Sequence, residues 1–180
     1  GDLRFVIHAH QGDFPRIVLT PGDIEECFHM TMQAFNLAEK YQTTVLVLVD
    51  KYVLESHMSV PFFNYADFQI DRGKFTKDLV SGFQRYASAE VGISLRSIPG
   101  SGNHFVANSD EHDVHGYSNE EIDVRNSQMR KRMKKLETCA VQDMPKPKVF
   151  GPKDAKTTLV SWGSNKGPIL EALPYLDDTN

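Results

Sequence analysis

Six groups of side chains have the composition to do chemistry. Asp50-Lys51-Tyr52 places a carboxylate, an ammonium and a phenol directly after the apolar run Val45-Leu46-Val47-Leu48-Val49. A loop that leaves a buried strand stands at the carboxyl edge of its sheet, where open parallel sheets form their ligand crevice. The same residues also have a structural reading, with Asp50 as a cap and Lys51 solvated. Ser56 and His57 just beyond are a polar pair in a loop. Asp110-Glu111-His112-Asp113 with His115 is the densest set of oxygen and nitrogen donors and could hold a hard divalent cation. Its neighbours favour a polar hairpin tip instead. His8-Ala9-His10 offers two imidazoles, too few for a metal site without a third ligand, though either could bind a carboxylate. Arg130, Lys131, Arg132, Lys134 and Lys135 could attract an anion. Met129, Met133 and Leu136 interrupt that run at core spacing and no aromatic residue is interleaved for base stacking, so it reads as a solvated helix face. Trp162-Gly163-Ser164-Asn165-Lys166-Gly167 joins a strand to a helix whose free amides could cradle a phosphate. Its glycine spacing fits neither GxGxxG nor GxxxxGK[ST], and it reads as a fold element.

The elements that must position these groups are clearest between Phe14 and Asp50. Ile17-Val18-Leu19 and Val45 to Val49 are short β-branched apolar runs, the pattern of parallel strands buried on both faces. Between them Ile24, Cys27, Phe28, Thr31, Ala34, Phe35 and Ala38 share one stripe at helical spacing, with Glu25, His29, Gln33, Asn36 and Lys40 opposite. Pro21-Gly22 breaks the first strand, Asp23 with Glu26 marks the helix start, and Lys40 suits its C-terminal end. The spacing therefore predicts parallel strands over Arg16 to Leu19 and Val45 to Val49, joined by a helix from about Ile24 to Tyr41, with Phe28 and Phe35 in the core.

Beyond Asp50 the reading is an irregular excursion with a short helix around Asp78 to Tyr86, a turn at Pro99 to Gly102 and a strand at His104 to Ala107. Ser118 and Glu121 form a capping-box pattern before a long helix, whose apolar stripe is Ile122, Met129, Met133, Leu136 and Ala140. Pro145 and Pro147 end that helix, and a strand at Thr158 to Trp162 with a helix at Gly167 to Leu173 begins a second unit. That unit cannot bury its own apolar faces.

The chain has 180 residues and a net charge of -4, which gives no global reason to expect nucleic acid or an anionic membrane as partner. No apolar run approaches the roughly 20 residues of a membrane helix. The two cysteines, Cys27 and Cys139, form neither a CxxC pair nor a disulfide framework and cannot supply a four-cysteine iron-sulfur site. A reducing cytoplasm is the expected compartment. The absence of an initiator Met and the break after the first helix of the second unit, at Leu176-Asp177-Asp178, lead to the expectation of an internal fragment.

Four phrases in order carry a resemblance: GDLRFVIHAHQGDFPR, PRIVLTPGDIEECF with AFNLAEKYQTTVLVLVDKY, IPGSGNHFVANSDEHDVHGYSNEEIDVRNSQMRKRMKKLE, and TTLVSWGSNKGPILEAL. Together they resemble the α subunit of 2-oxoacid:ferredoxin oxidoreductases, most closely the 2-oxoglutarate type. The patch from about Met58 to Glu90 is less familiar. The resemblance implies an α/β fold: residues 1–95 as the C-terminal part of a parallel-sheet pyrimidine-binding domain for thiamine diphosphate, 96–150 as a hairpin and linker helix, and 151–180 as the first strand and helix of a second, transketolase C-terminal-like α/β domain. It implies oxidative decarboxylation of a 2-oxoacid to its acyl-CoA, with coenzyme A and ferredoxin as acceptors.

By the same resemblance Gly1, Asp2, Leu3, Asp50, Lys51 and Tyr52 face the cofactor, and the 110–115 phrase lies at an interdomain or intersubunit contact. The family's glutamate for the pyrimidine ring and its Tyr-Pro-x-Thr-Pro phrase lie upstream of these residues. A β subunit mainly holds the diphosphate and its magnesium ion, an iron-sulfur cluster lies on another subunit, and γ and δ subunits complete some assemblies. No catalytic residue and no metal ligand is therefore expected within the chain itself. Two alternatives stay open: a noncatalytic α/β interaction module, and another thiamine-dependent enzyme of the transketolase or branched-chain dehydrogenase kind.

Overall fold

A computed structural model describes residues 1–176, so Asp177 and Asp178 lie outside the described residues. The central unit is strand-helix-strand: β1 (Arg16–Leu19), α2 (Ile24–Tyr41) and β2 (Thr44–Val47), preceded by the short helix α1 (Asp2–His8). β1 and β2 pair in parallel, with Arg16 opposite Thr44 and Leu19 opposite Val47, and the Leu48 amide extends the ladder to the Leu19 carbonyl at 2.8 Å. The predicted arrangement holds, but β2 stops two residues short of Val49. Its expected burial on both faces does not hold either. Val45 to Val47 are half-buried, because this sheet has two strands among the described residues and α2 covers one side of it.

α2 starts where expected. The Asp23 carboxylate accepts from the Glu26 amide at 2.7 Å, and the Glu26 carboxylate reaches back to the Gly22 amide at 2.9 Å. Its buried stripe is rotated from the predicted one. Ala34, Leu37 and Tyr41 face the core, with Met30 packed on them, while Phe35 is 70% exposed. Both stripes contain Ala34; the sheet selects the one that continues to Leu37, three residues on, and Tyr41, four further. Phe28 is half-buried from another direction, its ring stacked 4.4 Å from Phe63. The excursion after Asp50 is thus stitched to the outer side of α2, where Asn36 bonds the Gln69 carbonyl (2.7 Å) and the Asp71 amide (3.0 Å). Glu39 holds both Arg72 (3.0 Å) and Arg96 (2.8 Å).

After β2 come α3 (Lys51–Glu55), two parallel two-residue strands β3 (Phe75–Thr76) and β4 (Arg96–Ser97), then α4 (Ile122–Gln142) and α5 (Lys166–Leu176). Several local expectations fail. The stretch Asp78 to Tyr86 forms turns and not a helix, and His104 to Ala107 carries one backbone bond, from the Val106 amide to the His115 carbonyl, without becoming a strand. Ser118 does not cap α4, because it pairs across a bridge with His112 and its hydroxyl turns to Asp110. Glu121 is the cap residue instead, with its amide held by Asn119. The Thr158 to Trp162 stretch has no strand partner among the described residues and is exposed, irregular chain.

The largest reversal concerns α4. Its predicted apolar stripe lies outward, with Ile122 74% exposed and Met133, Leu136 and Ala140 also open. The buried side is Gln128, Lys131, Thr138 and Cys139. The physical reason is the partner: α4 covers the irregular segment 86–94, whose carbonyls have no strand to pair with, and a covering helix must then bring donors. Gln128 and Lys131 both donate to the Tyr86 carbonyl (3.1 and 2.7 Å), Thr138 to that of Val91 (2.9 Å) and Lys135 to that of Gln42 (2.7 Å). Gly92, at φ +79°, permits the approach; a Cβ there would stand 2.7 Å from the Lys131 carbonyl oxygen. Ile17, Leu19, Leu37, Tyr41, Ile93 and Cys139 close the core between sheet, α2 and α4.

Candidate functional site

The Asp50 edge is built by the end of β2 and the first turn of α3. One Asp50 oxygen caps α3 by accepting from the Val53 amide at 3.0 Å. The other accepts from the Ser164 amide at 2.7 Å, 114 residues away in sequence. These backbone bonds, Ser164 first, hold the Asp50 carboxyl below its ordinary pKa and keep it ionised. Asp50 is therefore a joint between two pieces of chain. Among the described residues Lys51 reaches only Glu55, at 3.7 Å with both side chains largely solvated, and Tyr52 is 75% exposed. The edge offers an exposed aromatic ring and a solvated cation next in sequence to a fixed carboxylate.

Gly1, Asp2 and Leu3 lie at the start of α1, with Asp2 and Gly1 exposed. α1 is tied to the beginning of β1, where Arg16 Nη1 donates to the Val6 carbonyl at 2.9 Å, whereas Asp50 follows the end of β2. Among the described residues no hydrogen bond or ion pair joins the Gly1 to Leu3 group to the Asp50 to Tyr52 group.

Next to the Asp50 edge lies a charged cluster that sequence reasoning missed. Lys166, at the start of α5, bonds both Asp23 and Glu26, the latter at 2.8 Å, and Lys148 adds a bond to Glu26 at 3.1 Å. Burial alone would raise the Glu26 pKa, but the bonds from Lys166, the Gly22 amide and Lys148 outweigh it and bring the value down to about 2. The Trp162 to Gly167 turn is indeed a fold element: Gly163 packs against Gly22, Ser164 against Asp50 and Lys166 against the start of α2. Its only sequence signal was a lysine far from any visible acid.

The remaining candidates resolve into structure. Asp113 accepts from the amides of His115, Gly116 and Tyr117 (2.8 to 3.1 Å) and closes a tight turn. Glu111 forms a fork with Arg132, at 2.9 and 2.5 Å, which fastens the hairpin tip to α4. The histidines of the His8-Ala9-His10 motif separate, His8 exposed at the end of α1 and His10 packed 4.5 Å from the Phe14 ring. Arg16, expected only as a strand residue, is buried with Nε and Nη2 unpartnered, its guanidinium 4.8 Å from the Phe14 ring. The basic run of α4 is not a solvated face throughout. Lys131 is 9% exposed, and burial brings its pKa and that of Lys135 down to about 8.

Comparison with known proteins places this geometry. Residues 1–134 match the family described as pyruvate flavodoxin/ferredoxin oxidoreductase, thiamine diphosphate-binding. The chain is 36% identical, over 98% of its length, to the α subunit of 2-oxoacid:ferredoxin oxidoreductase from Saccharolobus solfataricus, and spans 29% of that relative. It is 39% identical over 98% of its length to the α subunit of 2-oxoacid:ferredoxin oxidoreductase 2 from Aeropyrum pernix, spanning 28% of it. The solved 2-oxoglutarate:ferredoxin oxidoreductase from Magnetococcus marinus, with 2-oxoglutarate, coenzyme A and succinyl-CoA bound, superposes with a TM-score of 0.91 at 33% identity, covering 98% of this chain and 31% of that one. Matched in sequence over most of its length and in fold over nearly all of it, the chain belongs to the thiamine diphosphate-binding pyruvate flavodoxin/ferredoxin oxidoreductase family.

Proposed function

We propose that this chain is part of the α subunit of a thiamine-diphosphate-dependent 2-oxoacid:ferredoxin oxidoreductase of the 2-oxoglutarate type. The complete enzyme oxidatively decarboxylates the 2-oxoacid to its acyl-CoA and passes the electrons to ferredoxin. The observation that carries this reading is the 0.91 TM-score at 33% identity to a 2-oxoglutarate:ferredoxin oxidoreductase. A β subunit, with γ and δ subunits in larger assemblies, supplies the rest of the site, including the magnesium ion and the iron-sulfur cluster. The two free cysteines fit a reducing cytoplasm.

In this reading Gly1, Asp2, Leu3, Asp50, Lys51 and Tyr52 form part of the wall on the pyrimidine side of the cofactor. The residues suit a wall better than a ligand set, because the Asp50 oxygens already hold two amides and Tyr52 offers an uncovered ring. Thiamine diphosphate, when bound, supplies the electron sink for decarboxylation. Tyr52 excludes water from that side, Asp50 fixes the loop that carries Tyr52, and Lys51 adds a positive charge near the cleft.

The test is viologen reduction by the assembled enzyme with 2-oxoglutarate and coenzyme A. Asp2→Ala and Tyr52→Ala should lower cofactor affinity or kcat by roughly tenfold, about 1.4 kcal/mol. Lys134→Ala is the control, an exposed cation whose pair with Glu137 is worth little. Variants at Asp2 and Tyr52 that behave like the control would remove these residues from the cleft, and an assembled enzyme inactive on every 2-oxoacid would overturn the reaction class.

A further inference from the structure

A second cleft, away from the Asp50 edge, lies between α4, Gln42 and the 85–94 segment. Its volume is about 180 Å³, and Arg85, Lys131, Arg132 and Lys135 all line it. Four cations share one space in a chain whose net charge is negative. Among the described residues the one carboxylate bonded to any of them is that of Glu111, which occupies Arg132. Lys131 is engaged as well, bonded to the Tyr86 carbonyl and to the Ser94 hydroxyl at 3.3 Å.

The other two cations have donors to spare. Among the described residues Lys135 bonds a single acceptor, the Gln42 carbonyl, which leaves two of its N–H groups without a partner there. Arg85 has no hydrogen bond or ion pair among the described residues; its guanidinium lies over the Tyr86 ring, 5.1 Å from the centroid, so its five N–H donors have no acceptor there. Partly buried cations without counter-charge are costly to hold, and the burial that brings Lys131 and Lys135 down to about 8 registers that cost. A planar guanidinium and an ammonium lining one cleft match the oxygens of a tetrahedral oxyanion.

We propose that this cleft is an anion site that takes a phosphoryl group, received by Arg85 and Lys135 and held against the Tyr86 side of α4. The volume is below the roughly 300 Å³ at which organic-ligand pockets begin, so the phosphoryl group alone enters and any organic remainder stays outside. With Arg132 neutralised by Glu111, the cations Arg85, Lys131 and Lys135 face a phosphate dianion. This inference does not depend on the cofactor-wall reading.

Calorimetric titration of the assembled enzyme with inorganic phosphate tests it, with AMP as a second ligand. Phosphate should bind to the wild type, and Arg85→Gln and Lys135→Gln should each weaken it by roughly tenfold, the value of one lost charge-assisted bond. Arg85→Lys, which keeps the charge but not the fork, guards against misfolding and should weaken binding while leaving the melting temperature near wild type. AMP binding tighter than phosphate identifies a phosphate ester as the occupant; equal binding identifies the free ion. A crystal structure of the assembled enzyme soaked in phosphate should show the ion within hydrogen-bond distance of Arg85 and Lys135. No binding at about 10 mM phosphate, unchanged affinity in the variants, or an acidic side chain from another domain seated on Arg85 would overturn the proposal.

Discussion

At the scale of single residues, Glu26 carries the most consequential charge. It joins α2 to α5 through Lys166 and to the linker between α4 and α5 through Lys148. Its folded pKa of about 2 lies below the ordinary 4.5, so the stability it contributes is complete above pH 4.5 and is lost as the pH falls toward 2. Glu26→Gln should therefore melt well below wild type at pH 7, and the gap should close progressively between pH 4.5 and pH 2. A gap that does not change over that range would show that the ion cluster adds nothing. Gly92 makes a sharper steric case. With φ at +79° and a virtual Cβ 2.7 Å from backbone, Gly92→Ala should cost on the order of 2 to 3 kcal/mol by chemical denaturation. No side chain can yield there, because the neighbouring atoms are the main chain of α4.

At the scale of elements, α2 and α4 separate what periodicity reveals from what it conceals. The bounds of α2 followed from Pro21-Gly22, Asp23 and Glu26, since caps and breakers act locally. Its orientation did not, because two apolar stripes overlap at Ala34 and only the sheet decides between them. Leu37→Ala should accordingly destabilise by about 2 to 5 kcal/mol, while Phe35→Ala should change stability by under about 1 kcal/mol. Equal losses in urea melts would restore the stripe that contains Phe35. α4 departs from its periodicity for a deeper reason. Its apolar stripe predicts an apolar buried side, yet what it covers is a run of carbonyls without strand partners, for which amides, hydroxyls and ammonium groups are the better complement. Lys131→Met should lower the melting temperature although it makes the helix more apolar, because it leaves the Tyr86 carbonyl short of a donor. The place of Asp50 at a strand end is legible for the opposite reason, because it is a local event, whereas its bond to Ser164 depends on a contact across 114 residues that no local pattern encodes.

At the scale of the whole molecule, the chain exposes more apolar surface than its own core can use. Phe5 on α1, Leu54 on α3, Ile122 and Val141 on α4 and Val160 before α5 all lie open, and α5 has no buried residue. Apolar faces this open are suited to contact with further protein surface. Expressed alone, the chain should bind a hydrophobic dye and self-associate, and protease should cut first between Asp143 and Trp162, where neither helix nor strand protects the backbone. A dye-silent monomer, or a first cut within α2, would contradict this.

The shared acceptor at Asp50 has a kinetic consequence. Since one carboxylate receives both the Val53 and the Ser164 amides, opening either bond leaves the other on a carboxyl group free to rotate. The two amides should then exchange hydrogen for deuterium at rates that change together with temperature and denaturant, despite their distance along the chain. In Asp50→Asn, where one oxygen is replaced by a donor, the rates should part, and the slower amide would report which of the two contacts forms the stronger half of the joint.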